Sequence, residues 1–249
     1  MSFKDFLYEN IDELQDNFMY NLPDPDYPSA IYYPSHNVGR CDEGERTIKY
    51  IILHATEENE TKSFQKLTLS HTKVSAHYLI SRDGTVAQLV QEKDIAWHAG
   101  KSFWKDDQNL NPTSIGIELV SEDGGHTEPF TEAQYRTLFS LLRSIIKRHD
   151  IPLVNVLGHF EIAIGRKADP GPLFDWRRLE GQSVALPWRK IQVGDPFKAL
   201  RMHGYGFKND PASKANAVRA FQQRYLPNRI TGRMCKRTRQ KLLHANYRK

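Results

Sequence analysis

Cysteine is scarce in this sequence: Cys41 and Cys235 stand almost at opposite ends of the 249-residue chain. No Cys-x-x-Cys pair is present, which excludes a structural zinc knuckle and a thioredoxin-like motif. The sequence also lacks the His-Glu-x-x-His helix motif of many metalloproteases. No run of about 18 apolar residues occurs, so no segment is predicted to span a membrane. A chain of this length can bury an ordinary core, and its fold therefore requires no disulfide framework.

The N-terminal segment lacks the apolar stretch of a secretory signal peptide, because acidic residues interrupt it throughout. Its apolar residues recur at helical spacing instead. They are Phe3, Phe6, Leu7, Ile11, Leu14 and Phe18. We predict an amphipathic helix that packs on the main domain, followed by an irregular lead-in, over residues 1–34. The protein then stays inside the cell, leaves by a route without a cleaved signal, or has had a signal removed.

Positive charge is in moderate excess, with 35 Lys and Arg against 30 Asp and Glu and a net charge of +5. From Arg189 onward Lys and Arg far outnumber Asp and Glu, so the excess belongs largely to the C-terminal part. A basic surface favours polyanionic partners, among them nucleic acids, anionic lipids and the bacterial wall. No recognised DNA- or RNA-reading motif accompanies the charge, and we therefore do not predict nucleic acid as a partner.

Strand-like and helical segments alternate through the middle of the chain. The predicted strands cover residues 48–54, 76–81, 85–90, 114–120 and 153–157. Asp83-Gly84 between two of them is typical of a hairpin. Thr131 and Gln134 form a capping box at the start of a helix that continues to His149. This interleaving predicts an α/β fold of the α+β type, with a mixed central β-sheet flanked by helices.

The C-terminal part changes character and predicts a small three-helix domain. The helices are expected near residues 197–200, 215–225 and 235–243, with Gly- and Pro-containing breaks between them. We therefore divide the chain into the N-terminal helix and lead-in at 1–34, a main domain at 35–188 and a helical domain at 189–249.

Three potential metal ligands stand at predicted element ends. His54 closes the first core strand, His159 follows the strand at 153–157, and Asp169 lies ten residues after His159. Catalytic zinc takes three protein ligands of the His and carboxylate type and keeps one position for water. The spacing alone does not decide the matter. The chain has ten histidines, and a single His is more often a surface or core residue than a ligand.

Five sequence blocks resemble, in order, those of the type 2 N-acetylmuramoyl-L-alanine amidases, the AmpD and AmiD family. They are Ile51-Ile52-Leu53-His54-Ala55-Thr56, Ser75-Ala76-His77-Tyr78-Leu79-Ile80, Ala96-Trp97-His98-Ala99-Gly100, Ser114-Ile115-Gly116-Ile117-Glu118, and Gly158-His159 with Gly165-Arg166-Lys167-Ala168-Asp169-Pro170-Gly171-Pro172. The resemblance implies a zinc hydrolase whose catalytic domain is the main domain at 35–188. Such an enzyme cuts the amide between the lactyl group of N-acetylmuramic acid and L-alanine of the peptidoglycan stem peptide.

By the same resemblance, His54, His159 and Asp169 bind one zinc ion per chain. Glu118 corresponds to the catalytic glutamate and Lys167 to the catalytic lysine. A carboxylate beside the zinc can take a proton from the attacking water, and an ammonium can stabilise the oxyanion that forms. Considered singly, Glu118 could also be a salt-bridged carboxylate at a strand end, and Lys167 a solvated loop lysine.

Four further residues are assigned to substrate binding by resemblance. Trp97 can lie against a sugar face or support the core. His98 corresponds to a substrate contact, with a hydrogen-bonded structural imidazole as the alternative. His77 is expected to line the cleft, and Asn37 in Ser35-His36-Asn37 to hold the loop beside the site.

The C-terminal segment resembles the three-helix peptidoglycan-binding domain through residues 217–225, Ile230-Thr231-Gly232 and Thr238 with Leu242. We expect it to anchor the enzyme to the wall, the alternative being a helical cap on the catalytic domain. Expected partners are peptidoglycan or muropeptides. Two other functions stay open: a peptidoglycan recognition protein without activity, and a cytosolic amidase that recycles anhydromuropeptides. The complete set of ligand and catalytic residues favours the enzyme. Its expected place of action is the cell wall, in the periplasm or after export, with the cytoplasm as the alternative.

Overall fold

The computed structural model describes residues 2–18, 22–40, 46–186 and 193–243. Its strands are β1 (Ile31–Tyr32), β2 (Val38–Gly39), β3 (Tyr50–Ala55), β4 (Tyr78–Ile80), β5 (Val86–Gln88), β6 (Ile95–Ala96), β7 (Phe103–Trp104), β8 (Asp107–Gln108), β9 (Ser114–Leu119) and β10 (Val156–Gly158). Its α-helices are α1 (Phe3–Phe18), α2 (Glu60–Thr68), α3 (Glu132–His149), α4 (His159–Ile162), α5 (Trp176–Gly181), α6 (Pro196–His203), α7 (Pro211–Tyr225) and α8 (Lys236–Leu243).

A six-stranded mixed sheet forms the centre of the protein, in the order β1-β5-β4-β9-β3-β10. Strand β3 lies between β9 and β10 and runs parallel to both, while β4 is parallel to β9 and antiparallel to β5. Every residue of β3 is buried, as expected for a strand with helices on both faces. The carboxyl ends of β3, β9 and β10 therefore meet at one edge of the sheet. The predicted fold class, a mixed sheet flanked by helices, is confirmed.

Local signals in the sequence account for the best-defined elements. The Thr131 hydroxyl accepts the Gln134 N–H at 3.0 Å, and the Gln134 side chain accepts the Thr131 N–H at 3.0 Å, so α3 begins with the predicted capping box. Gly84 takes φ +89° in the turn of the β4–β5 hairpin. The predicted strand at 153–157 was wrong in its first half. The Asn155 N–H donates to the Pro152 carbonyl at 2.7 Å, which makes a 3-10 turn at Leu153–Asn155 before β10 begins.

The predicted N-terminal helix is present as α1 and packs on α2. Phe3 and Leu7 are buried, and the rings of Phe3 and Phe6 lie 6.1 and 5.3 Å from the ring of Phe64. The side chains of residues 12–18, with the predicted apolar positions Leu14 and Phe18, lie outside the described part of the chain. No helix within the described residues is long and apolar enough to cross a membrane.

Three helices occupy the C-terminal segment, as the sequence predicts. Asp195 and Asp210 cap α6 and α7, and a proline follows each cap at the first turn, where its missing N–H costs nothing. Leu200, Phe221 and Leu242 are fully buried in the same apolar core that contains the residues of the central sheet. The proposed boundary at 188 and 189 lies outside the described residues, and the division into domains stays a prediction.

A buried ionic cluster ties the segment after β5 to the end of α3, and it makes folding sensitive to acid. The Glu92 carboxylate accepts hydrogen bonds from Arg148, His149 and Tyr78. Burial opposes ionisation of Glu92, yet these three hydrogen bonds outweigh it and lower the pKa of its carboxyl to about 2. Because the pKa of Glu92 is lower in the folded than in the unfolded protein, the ionised carboxylate stabilises the fold. This stabilisation is complete above the pKa of the unfolded protein and is lost as the pH falls towards the pKa of the folded protein.

We expect the free energy of unfolding of the wild type to fall by about 2 kcal/mol more than that of Glu92→Gln between about pH 7 and about pH 3. Urea denaturation at a series of pH values measures this difference. Glu128→Gln is the control, because Glu128 pairs with Arg82 at the surface. Equal pH dependence in wild type and Glu92→Gln would contradict the assignment.

Candidate active site

The three predicted metal ligands come together at the carboxyl edge of the sheet. The register pairs Gly158 of β10 with Leu53 of β3, which places His159 beside His54 at the next position along both chains. The loop after α4 brings Asp169 to the same place, because the Phe160 N–H donates to the Asp169 carbonyl at 3.0 Å. Parallel strands and one backbone hydrogen bond thus assemble residues that are far apart in sequence.

Three ligand atoms converge in this group. The Nδ1 atoms of His54 and His159 are 3.0 Å apart, and Asp169 Oδ2 lies 3.2 Å from the first and 3.0 Å from the second. All three residues are buried, with exposed fractions of 1%, 3% and 6%. The structure therefore places the three predicted ligands in mutual contact.

A chain of hydrogen bonds fixes which nitrogen of His54 carries its proton. The Ser114 hydroxyl donates to the Leu110 carbonyl at 2.6 Å, so at 3.2 Å it must accept from His98 Nε2. Burial, followed by the neighbouring imidazoles, holds the pKa of His98 well below its ordinary value, so the ring is neutral and its Nδ1 is an acceptor. His54 Nε2 donates to that atom at 3.0 Å, which leaves a lone pair on His54 Nδ1.

His159 reaches the same state by a shorter route. Its Nε2 lies 3.2 Å from the Ala99 carbonyl oxygen, which can only accept, so Nε2 carries the proton. An imidazole whose single proton is on Nε2 keeps its lone pair on Nδ1. Hydrogen bonds of this kind from the outer nitrogen orient histidine ligands in metal sites.

The resulting arrangement fits a cation. Burial together with the nearby His159 imidazole lowers the pKa of His54 to about 4, so its ring is neutral near neutral pH. Burial opposes ionisation of Asp169, yet the neighbouring His159 and His54 side chains outweigh it and hold the pKa of this carboxyl well below its ordinary value. Two imidazole lone pairs and one carboxylate oxygen, all buried and in contact, are mutually repulsive without a positive charge between them. Two His and one Asp are also a donor set that zinc accepts.

Glu118 stands next to this group on β9. It is in register with His54 on β3, and its Oε1 lies 4.0 Å from His54 Nδ1. Its Oε2 is buried and has no hydrogen-bond partner among the described residues. Burial, followed by the negative charge of Asp169, raises the pKa of the Glu118 carboxyl to about 8. A carboxyl with a pKa in this range can exchange protons near neutral pH.

A cleft of about 350 Å³ opens above the three ligands. Of the predicted residues, Glu118, Lys167, Trp97 and His98 line it. Lys167 is exposed, and its charge acts on both His54 and Glu118 by opposing a proton on each. Other cationic side chains in the lining are Lys66, Lys73 and Arg166.

His77 and Asn37 lie outside this lining. His77 is fully buried, accepts the Gly116 N–H at Nδ1 and contacts the Asp94 carbonyl through Nε2. The Asn37 amide nitrogen lies 2.8 and 2.9 Å from the carbonyls of Leu69 and Val74, at the loop that forms one cleft wall. Substrate contact by these two residues stays a prediction, and their observed contacts are with the protein itself.

Sequence patterns did not reveal two of the supporting contacts. Ser114 orients the His98 ring, and that ring lies directly on Gly116, where an added Cβ would be 2.4 Å from His98 Cγ. Arg166, considered above only as part of a block, donates to the carbonyls of Ala99 and Lys101 at 2.8 Å each. Gly116 was the signal that the sequence offered for the first contact, because a ring can lie this close to the backbone only at a glycine.

Comparison with known proteins identifies the family of this chain. The family model described as N-acetylmuramoyl-L-alanine amidase (Amidase_2) matches residues 44–172, which include all three ligands, Glu118 and Lys167. The chain is 33% identical over 215 residues to N-acetylmuramoyl-L-alanine amidase AmiD of Escherichia coli, covering 74% of this chain and 77% of that protein. It is 36% identical over 157 residues to the 1,6-anhydro-N-acetylmuramyl-L-alanine amidase AmpD of Citrobacter freundii, covering 63% and 81%.

Solved structures give the same result. The complex of Escherichia coli AmiD with anhydro-N-acetylmuramic acid-L-Ala-D-γ-Glu-L-Lys matches with a TM-score of 0.69 and 32% identity, over 80% of this chain and 88% of that one. AmpDh3 of Pseudomonas aeruginosa matches with a TM-score of 0.71 and 30% identity, over 85% and 96%. The fold, the grouped site residues and these relatives together show that the chain belongs to the N-acetylmuramoyl-L-alanine amidase family and is an enzyme of that class.

Proposed function

We propose that this protein is a zinc-dependent amidase that hydrolyses the amide between the lactyl group of N-acetylmuramic acid and L-alanine of the stem peptide. The convergence of two imidazole lone pairs and one carboxylate oxygen within 3.2 Å of one another carries the proposal. His54, His159 and Asp169 would hold one zinc ion per chain. When bound, zinc supplies Lewis-acid polarisation of a carbonyl group and lowers the pKa of water.

Glu118 is the general base and then the general acid in this proposal. Its carboxyl lies beside the ligands, has an oxygen without a protein partner in the described structure, and has a pKa near neutrality. A cation held by the ligands favours the carboxylate form, which can take a proton from the attacking water. The same carboxyl then returns that proton to the amine of L-alanine as the amide C–N bond breaks.

Lys167 stabilises the negative charge that forms on the amide oxygen. It lines the cleft, and its positive charge acts to lower the pKa of both Glu118 and His54. Lys66 and Lys73 also line the cleft and add positive charge to it. Stem peptides carry free carboxylates, so this lining favours their entry into the cleft.

Two substrates are compatible with the site, and each has support. The similarity to AmpD, whose name gives a 1,6-anhydro-N-acetylmuramyl substrate, favours soluble anhydromuropeptides. The basic helices at the C-terminus resemble a wall-binding domain and favour the polymer, since an anchor raises the local concentration of an insoluble substrate. We favour the wall polymer, with action in the periplasm or after export. Activity on soluble fragments alone would favour the cytoplasm.

The decisive experiment is mass spectrometry of products from purified sacculi and from soluble anhydromuropeptides, each with and without a zinc chelator. We expect free stem peptides that begin with L-alanine, uncut sugar chains, loss of activity on chelation and recovery with added zinc. Release of peptides from only the soluble substrate would identify a recycling enzyme. Full activity in the chelator after removal of all bound zinc would overturn the metal assignment.

A further inference from the structure

Helix α7, in the C-terminal segment, reaches the loop that carries the third ligand. Gln223 is nearly buried, and its amide nitrogen donates to the carbonyls of Ala168 and Pro170 at 2.6 and 2.8 Å. These two carbonyls flank Asp169 on either side. A glutamine amide has two N–H groups, and both are used here.

The backbone around Asp169 has few other supports. The Asp169 carbonyl accepts the Phe160 N–H at 3.0 Å, and the Gly171 N–H donates to the Gly124 carbonyl at 2.7 Å. Of the three successive carbonyls at 168, 169 and 170, Gln223 therefore satisfies two. Without its amide, the 168–169 and 170–171 peptide groups could rotate, and the Asp169 carboxylate would lose its fixed direction.

Helix α7 is itself held firmly against the site. Arg224, the next residue, donates to the Glu161 carboxylate at 2.5 Å, and Glu161 lies two residues after His159. Both side chains are buried, with 3% and 1% exposed. Earlier on α7, Asn216 lies against Gly165, where an added Cβ would be 2.5 Å from its Nδ2. The helix thus contacts both the element of His159 and the loop of Asp169, and it can fix one relative to the other.

We propose that Gln223 is a positioning residue of the metal site, so that the C-terminal helices form part of the framework that binds zinc. This inference rests on the proposed zinc site and gives α7 a role separate from wall binding. Ligand groups need to be held within about 0.5 Å of their productive positions, and supports beyond the ligands themselves supply that precision.

The neighbouring residue Gln222 provides a matched control. It is fully buried on the same helix, but among the described residues its side-chain hydrogen bonds stay within the C-terminal segment. Its oxygen accepts the N–H groups of Thr231 and Gly232 at 2.8 and 2.9 Å, and its nitrogen donates to Thr238 at 2.8 Å. Replacing Gln222 should therefore weaken the packing of the C-terminal helices without touching the Asp169 loop.

The test is the dissociation constant of zinc, measured on the full chain by competition with a chromogenic chelator. We expect Gln223→Met to raise it about tenfold, in the range found for residues that support metal ligands. Gln223→Glu keeps the size of the side chain but has no N–H to donate, and it should raise the dissociation constant by at least the same factor. Gln222→Met should leave the constant unchanged while lowering the thermal transition of the zinc-free protein. That same transition verifies that each variant is folded.

Three outcomes distinguish this inference from the proposed function. If wild type binds no zinc, the proposed metal site fails. If wild type binds zinc and both Gln223 variants bind it equally well, the positioning role of Gln223 is overturned. If Gln222→Met weakens zinc binding as much as Gln223→Met, the effect comes from general loss of packing, and the inference is overturned as well.

Discussion

The variant Glu118→Gln is expected to keep its zinc and to lose most amidase turnover, with kcat reduced by roughly 10²–10⁴-fold. Glutamine has the same size but cannot accept a proton from water. Glu118 also makes no hydrogen bond that holds the ligands, since its oxygen is 4.0 Å from His54 Nδ1. Release of L-alanine peptides from a soluble muropeptide, followed at saturating substrate, measures kcat, and the chelator competition assay measures zinc binding on the same preparations.

The matched control for this variant is Glu57→Gln. Glu57 lines the same cleft and has the same side chain, but it is exposed. It should retain turnover close to that of the wild type. Equal losses in the two variants would show that the effect is one of cleft charge and not of proton transfer. Full turnover in Glu118→Gln would remove Glu118 from the proposed mechanism.

Replacing Arg224 by methionine is expected to reduce the free energy of unfolding by about 3–5 kcal/mol. The substitution leaves the buried Glu161 carboxylate without its cationic partner, while the Tyr205 hydroxyl still donates to it at 2.7 Å. A buried charge without a counter-charge is far more costly than the pair is favourable. Urea denaturation of the zinc-free protein measures the change, so that altered metal binding does not enter the comparison.

Arg177→Met is the control for Arg224→Met. Arg177 pairs with Asp175, but 82% of its side chain is exposed, and such pairs contribute less than about 1 kcal/mol. The double variant Glu161→Gln with Arg224→Met should recover part of the lost stability, because it removes the buried charge. A loss in Arg224→Met no larger than that in Arg177→Met would contradict a stabilising role for the buried pair.

The sequence was sufficient for the sheet and for the grouping of the three candidate metal ligands. The apolar strand ending at His54 and the capping box at Thr131 are local signals, and both elements formed where they were predicted. The grouping of His54, His159 and Asp169 followed from strand ends and from family resemblance. They lie at a common edge because their strands are parallel. Alternating strands and helices in a sequence favour parallel strands.

Contacts between distant segments could not be predicted in the same way. The Ser114 hydroxyl that orients His98 and the Gln223 amide that holds the Asp169 loop carry no local pattern, because each depends on how two elements pack. Pro152 illustrates a smaller limit: an apolar run predicts a strand, but the residues that follow the proline closed a turn first. In such a segment the strand propensity of the residues decides the secondary structure only when tertiary contacts do not favour another conformation.

In the proposed metal site, His54 and His159 present Nδ1 to a zinc ion while their Nε2 protons are held by His98 and Ala99. A two-bond ¹H–¹⁵N spectrum of the imidazoles, recorded before and after one equivalent of zinc, tests this directly. We expect two rings to shift at Nδ1 and to keep a protonated Nε2, and we expect neither to shift in Asp169→Ala at the same zinc concentration. Zinc that leaves both rings unchanged, or that binds through Nε2, would contradict it.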